Sequence, residues 1–301
     1  MIRSRRSGSA VALVVVLVLA SVLVSGAPVP TIPASASQSA ETASQSADAA
    51  PTSLDSCTRI THSGHYVLSN DIETRQRACL RIDADDVTLD GAGHVVDGRV
   101  FWEGTAGIAV TGRNVTVRNV TAINWTFGIE YENASAGTVA NVTTWRTADG
   151  VSVLRSPRTR LRRVTATNGF TGIAMSDSNG SRISDSTVRD TSSSGVFVSD
   201  SENVSLANVS VARSKIGVAL AGVRNGSVTD VIVRSTEDGI LLVDSHDNTI
   251  RNATLTNPDG SAVVTRSNAN ANDNPIVGSR GNWTTRDASR THAKNGRERG
   301  V

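Results

Sequence analysis

The 301-residue chain is 38% apolar but only 3% aromatic, and its 30 basic and 28 acidic residues leave a net charge of +2. An interior filled by Val, Ile, Ala and Leu with few large rings suits thin, repeated layers better than one deep core. The near-neutral balance lacks the basic footprint of a nucleic-acid-binding protein, so no nucleic acid is expected among the partners.

At the start, Arg3, Arg5 and Arg6 precede an uncharged apolar run over 10–24 and then small residues, the order of an export signal. That run is short for a membrane span. Ala34-Ser35-Ala36 offers a small-x-small cleavage site, so residues 1–36 are read as a signal peptide, with an uncleaved membrane anchor as the alternative. Removing its three arginines leaves the mature chain at −1. Arg5-Arg6 leaves the route open between general secretion and twin-arginine export. Residues 37–55 are mostly Ala, Ser, Thr, Pro and Gln, with almost nothing to bury, and are expected to form a disordered stalk. At the other end, residues 284–301 are basic and are expected to be a flexible, solvated tail.

Between these ends runs a repeat. A Gly followed by alternating apolar residues recurs at Gly107, Gly128, Gly150, Gly172, Gly195, Gly217 and Gly239, 21 to 23 residues apart. The first and third residues after each are apolar, as in Ile129/Tyr131, Ile173/Met175 and Ile240/Leu242. Period two means a strand with one buried face. A second short apolar segment contains Val139, Leu161, Ile183, Leu206, Val228 and Ile250, and a third, after an Asn or Asp, contains Val142/Thr144, Val209/Val211 and their equivalents. Each unit therefore carries three short strands separated by polar corners. No hexapeptide step or leucine-rich signature is present, which leaves a single right-handed parallel β-helix, all-β, of about nine coils over 56–283.

Cys57 opens CTRI and Cys79 opens CLRI, 22 residues later, so adjacent coils place them side by side and an exported protein should join them as a disulfide. The Gly-led coils, the opening SCTRITHSGHYVLSNDI and the stretch VTLDGAGHVVDG resemble secreted β-helix proteins of the pectate-lyase-like superfamily. Within it they are most similar to the branch of NosD copper-binding and carbohydrate-binding or hydrolase proteins. That resemblance implies an extracellular polysaccharide or cell-surface glycan as partner. It leaves open whether the chain only binds the glycan, cleaves it as a lyase or glycoside hydrolase, or is a non-catalytic structural or adhesive solenoid.

Two corner lines hold the candidate chemistry. Just before each Gly lie Trp125, Phe127, Trp145, Arg146, Asp149, Phe170 and Arg189, aromatic and charged groups suited to stack on sugars and to hold their hydroxyls or uronates. Trp125, Trp145, Arg146, Asp149, Phe170 and Arg189 are the expected substrate-binding residues. Five residues past the Gly, Asp177 and Asp200 fall on neighbouring coils, a spacing that fits a retaining carboxylate pair, two ligands of one Ca²⁺, or plain corner residues, with Arg155 placed to pair with Asp177. They are the candidate catalytic residues. Copper is disfavoured, because His62, His65, His94, His246 and His292 are scattered and Met1 and Met175 are the only methionines. Of eleven N-x-S/T sequons, Asn124, Asn133, Asn179 and Asn225 are the glycosylation candidates, whereas Asn141, Asn208 and Asn252 belong to a corner ladder expected to be too buried to modify. A monomer is expected.

Overall fold

The computed structural model describes residues 50–99, 104–256, 261–266, 274–281 and 285–287. The signal peptide, the stalk up to residue 49, Trp283 and the tail beyond residue 287 lie outside the described residues. Each Gly-led segment forms a strand, among them Phe127–Glu132, Asp149–Leu154 and Thr171–Ser176, and each pairs in parallel with its counterpart one coil away. The chain turns twice more per coil, so three parallel faces wind into one right-handed β-helix of about nine coils and roughly 22 residues per coil. All 25 strands join one sheet, and no helix occurs among the described residues. The helix begins earlier than expected. Thr52–Leu54, in the segment assigned to the stalk, already pairs with Tyr66, Val67 and Leu68, and Thr285–Asp287, assigned to the tail, pairs with Val263, Val264 and Thr265.

Alternation directs the apolar member of each pair inward, where like stacks on like. Ile108, Ile129, Val151, Ile173, Val196, Val218 and Ile240 form one buried column and Val110, Tyr131, Val153, Met175, Val198, Leu220 and Leu242 a second. The leading glycines are needed because the backbone passes close to this core: a Cβ on Gly172 would stand 2.2 Å from Cγ1 of Val188 and 2.7 Å from the carbonyl oxygen of Gly195. That inward crowding, rather than turn geometry, explains their recurrence.

Each coil turns through residues in the left-handed backbone region, which Asn and Asp enter more readily than most side chains. One corner line is Asn119, Asn141, Arg163, Asp185, Asn208, Asp230 and Asn252, all with φ between 50° and 55°. Its amides hydrogen-bond from coil to coil, Asn141 Nδ2 donating to Asn119 Oδ1 at 2.8 Å and Asn208 Nδ2 to Asp185 Oδ1 at 2.8 Å. Contrary to expectation, Asn141, Asn208 and Asn252 are exposed, and what occupies their amide nitrogens is this ladder and not burial. At another corner, buried Ser156, Ser178 and Ser201 accept the backbone N–H of the preceding coil and donate back to carbonyls two residues earlier, satisfying groups that the turn would strand.

The Cys57–Cys79 disulfide forms as the register requires, with Cα atoms 4.4 Å apart, and ties the first Gly-face strand to the next.

Candidate functional site

The corner between the third face and the Gly-led face is where the chain departs most from uniformity. Asn124, Arg146, Asn168, Asp190, Arg213 and Ser235 succeed one another there, all left-handed, with φ between 53° and 62°. The residue before each projects outward and the residue after turns inward. Trp145 is thus 37% exposed, and the Arg146 guanidinium lies 5.1 Å from its ring centroid, a cation–π contact that steadies the indole. Beside them opens a trough of about 710 Å³ bordered by Arg99, Asn124, Trp145, Arg146, Asn168 and Asp190. Arg99 is engaged by Glu73 and Asp190 by Arg213, whose guanidinium holds that carboxyl below its usual range. Arg146 has no carboxylate partner among the described residues. Phe170, 57% exposed, lies two residues past Asn168, just before the strand Thr171–Ser176, and not in the Trp145 register, which Thr167 occupies.

Trp125 does not belong to this surface. It follows the left-handed Asn124, turns inward, and is 1% exposed, with Nε1 donating to the Val96 carbonyl at 3.0 Å. The ring fills the space left by Gly98 and Gly107, where an added Cβ would come within 3.0 Å of it. Its equivalents on later coils, Thr147, Thr191 and Thr236, are buried too. The stacking role expected for Trp125 is replaced by a packing role. Arg189 is exposed, two coils beyond Trp145 on the third face, through the pairings Trp145 with Thr167 and Thr167 with Arg189.

Asp149 stands apart from the corner line. It opens a Gly-led strand opposite Phe127 and Thr171 and is half-buried. Together with Glu130, a residue that the corner line does not include, it faces a cleft of about 540 Å³ on the outer side of the Gly-led face, walled by Phe127, Phe170 and Phe197. Burial pushes the Asp149 carboxyl up, opposed by a hydrogen bond from Thr171. Burial also pushes Glu130 up, helped by the negative charges of Glu132 and Asp149. The available signal was alternation, since Glu130 sits between inward-facing Ile129 and Tyr131.

Asp177 and Asp200 do lie on adjacent coils, just past the paired Ser176 and Ser199. Both are exposed and left-handed, with φ of 49° and 47°, at the opposite end of the Gly-led strands from the trough, about 20 Å away by strand length. Arg155 turns away from Asp177, donating to Asn133 Oδ1 at 2.9 Å and Glu132 Oε1 at 2.5 Å. Of the sequons, Asn133, Asn179 and Asn225 are exposed, while Asn124 is half-buried with its amide donating to Asp97 Oδ1 at 2.8 Å.

A family model described as periplasmic copper-binding protein (NosD) matches residues 68–230, more than half of the chain. The chain belongs to the NosD family. Copper is the metal that this family description implies, and this NosD-family chain offers a poor donor set for it. Cys57 and Cys79 are consumed by their disulfide, Met175 is buried in the core, and His94 Nδ1 lies 3.0 Å from Asp71 Oδ1. Among the described residues, no three His, Cys, Asp or Glu side chains gather into a metal-holding group. No curated protein matches the sequence. Among solved structures, the Dettilon tailspike protein is similar over 79% of this chain and 55% of its own, at 11% identity and a TM-score of 0.60. The endo-xylogalacturonan hydrolase of Aspergillus tubingensis is similar over 79% and 85%, at 11% identity and 0.55. A tailspike mutant of E. coli bacteriophage HK620, in complex with a hexasaccharide, is similar over 78% and 54%, at 15% identity and 0.55. The NosD-family chain thus spans little more than half the length of either tailspike. At these identities the likeness shows the fold alone, a parallel β-helix.

Proposed function

We propose that the protein is exported and binds an extended extracellular polysaccharide along the corner trough, with Trp145 as a stacking surface there, Phe170 as a second one on the adjoining edge, and Arg146 as the cation facing an acidic or hydroxyl-rich sugar. The observation that carries this reading is the exposed Trp145–Arg146 pair at the edge of a long open trough. Large rings are scarce in this chain, and a solvent-facing indole braced by an uncommitted guanidinium is a poor use of one unless it meets a ligand. A solenoid also presents a shallow surface across several coils, which suits a polymer better than a small molecule. The leader's residue order and the disulfide support export. The hexasaccharide complex of the HK620 tailspike and the polysaccharide named for the Aspergillus hydrolase support a glycan partner.

The test is binding to soluble and insoluble polysaccharides, neutral and acidic, by affinity electrophoresis and pull-down. Stacking on one exposed ring is worth on the order of 1 kcal/mol, so Trp145→Ala should weaken binding by several-fold to about tenfold, with smaller losses for Arg146→Ala and Phe170→Ala. Absence of binding across the panel, or unchanged binding by Trp145→Ala, would leave the structural or adhesive solenoid as the better account. Repeating the assay with a chelator tests whether Asp177 and Asp200 share a Ca²⁺ that binding requires.

A further inference from the structure

The cleft on the outer Gly-led face adjoins the trough. Thr147 and Gly169 border the trough, while the next residues, Ala148 and Phe170, border the cleft, so a polymer lying in one reaches the other over a single ridge. Glu130 and Asp149 both face the cleft. The register pairs Phe127 with Asp149 and Glu130 with Ser152, which sets Asp149 one coil on and three residues back from Glu130. Strand rise and coil spacing then put their Cα atoms about 11 Å apart. With both residues lining one cleft, that backbone separation is compatible with the wide carboxylate spacing of inverting glycoside hydrolysis.

The two carboxyls have different surroundings. Glu132 is occupied by Arg155, but Glu130 receives no hydrogen bond or ion pair from any described residue. Burial first, then the charges of Glu132 and Asp149, favour its protonated form. Asp149 is likewise disfavoured as an anion by burial, an effect that Thr171 partly opposes. Burial thus raises both carboxyls, and neighbouring negative charge raises Glu130 further, an asymmetry that suits Glu130 to the acid's part and Asp149 to the base's.

We propose that Glu130 and Asp149 are a catalytic pair that hydrolyses a glycosidic bond in the polysaccharide held by the trough, an inference that rests on the binding reading above. The Glu130 carboxylic acid gives its proton to the glycosidic oxygen as the bond from the anomeric carbon to that oxygen breaks, and the departing sugar leaves with a hydroxyl. Water adds to the anomeric carbon and its proton passes to the Asp149 carboxylate. Exchange with solvent returns one proton to Glu130 and removes one from Asp149, so the net change is one water consumed and one new reducing end. Phe127 and Phe170 exclude bulk water and present apolar faces to the rings on either side of the scissile bond.

The test measures new reducing ends and binding in parallel on polygalacturonan, xylogalacturonan, alginate and neutral glucans, using the full exported protein. The expected result is release of reducing ends from a polysaccharide that also binds, with Glu130→Gln and Asp149→Asn each lowering kcat about a hundredfold or more while KM moves by less than about threefold. The pH–rate profile of the wild type should be bell-shaped, and Glu130→Gln should remove its alkaline limb. Binding without reducing ends in the wild type, or Glu130→Gln as fast as wild type, overturns the pair and leaves the binding reading standing. Loss of cleavage in Asp200→Asn but not in Glu130→Gln would also overturn it. Failure to bind any member of the panel overturns both.

Discussion

Gly172→Ala tests the packing argument most directly. The added Cβ would lie 2.2 Å from Val188 Cγ1 and 2.7 Å from the Gly195 carbonyl oxygen, against carbon–carbon contacts of roughly 3.5–4.0 Å in well-packed interiors. Val188 is fully buried, and the carbonyl belongs to the backbone of the next coil, so neither moves cheaply. Overpacking of this kind costs about 1–3 kcal/mol, and two simultaneous clashes place Gly172→Ala at the upper end, about 3 kcal/mol. For a body of this size that corresponds to a melting temperature roughly 6–12 °C lower. Gly180→Ala is the control. Gly180 has φ of +66°, but an added Cβ meets nothing nearer than Arg158 Cγ at 3.7 Å, so only the left-handed backbone penalises it, by about 1 kcal/mol or roughly 2–4 °C. Thermal unfolding followed by β-type circular dichroism distinguishes the two. A Gly172→Ala protein as stable as wild type, or less affected than Gly180→Ala, would refute the idea that core crowding dictates the Gly-led register.

Trp125→Ala should lower stability by about 3–5 kcal/mol and reduce binding only through unfolding, in contrast to Trp145→Ala, as parallel melts and binding titrations would show. Peptide mapping without reductant should recover Cys57 joined to Cys79. Cys57→Ser should release about 3 kcal/mol of loop constraint, felt chiefly as faster proteolysis at the first coil because solenoid stability is a nearest-neighbour sum. Burial opposes ionisation of Asp83, but hydrogen bonds from Arg81, Arg59 and Thr111 hold its carboxyl below the usual range. Its contribution is therefore present above the ordinary carboxylate pKa and lost as pH falls through its lower folded value, so Asp83→Asn should flatten the acid limb of a melting-temperature profile. Glu130 has the opposite sign. Its raised folded pKa means that stability is lost as pH rises through that value, so Glu130→Gln should melt higher than wild type at pH 7 and lose the advantage near pH 4.

The coil architecture was legible because one residue type, Gly, marked the same place in seven successive coils, from Gly107 to Gly239, and because period-two alternation followed it. The disulfide was legible for the same reason, since Cys57 and Cys79 share a register. Trp125 was misplaced by reading the corner as a run of outward residues. The comparison that separates it from Trp145 is along the columns: Thr147, Thr191 and Thr236 share its register and are buried, whereas Thr167 and Arg189 share that of Trp145. Glu130 carried a weaker signal. Alternation marks it as outward, but its enclosure depends on Phe127, Phe170 and Phe197 from three different coils, which no single repeat displays. The asparagine ladder was recognised, yet its exposure was not, because coil-to-coil hydrogen bonding and burial both favour Asn at a corner.

The 23-residue coil led by Gly172 places its extra residue between Thr191 and Ser194, where the ladder shifts register before resuming at Ser194 opposite Ile216. Ser192, within that bulge, borders the trough. Strands on either side keep their partners, so the change in length is absorbed where the chain meets solvent and never reaches the columns of the core. A protein built this way can reshape its binding edge by gaining or losing single corner residues, one coil at a time, while the scaffold that holds the edge stays the same.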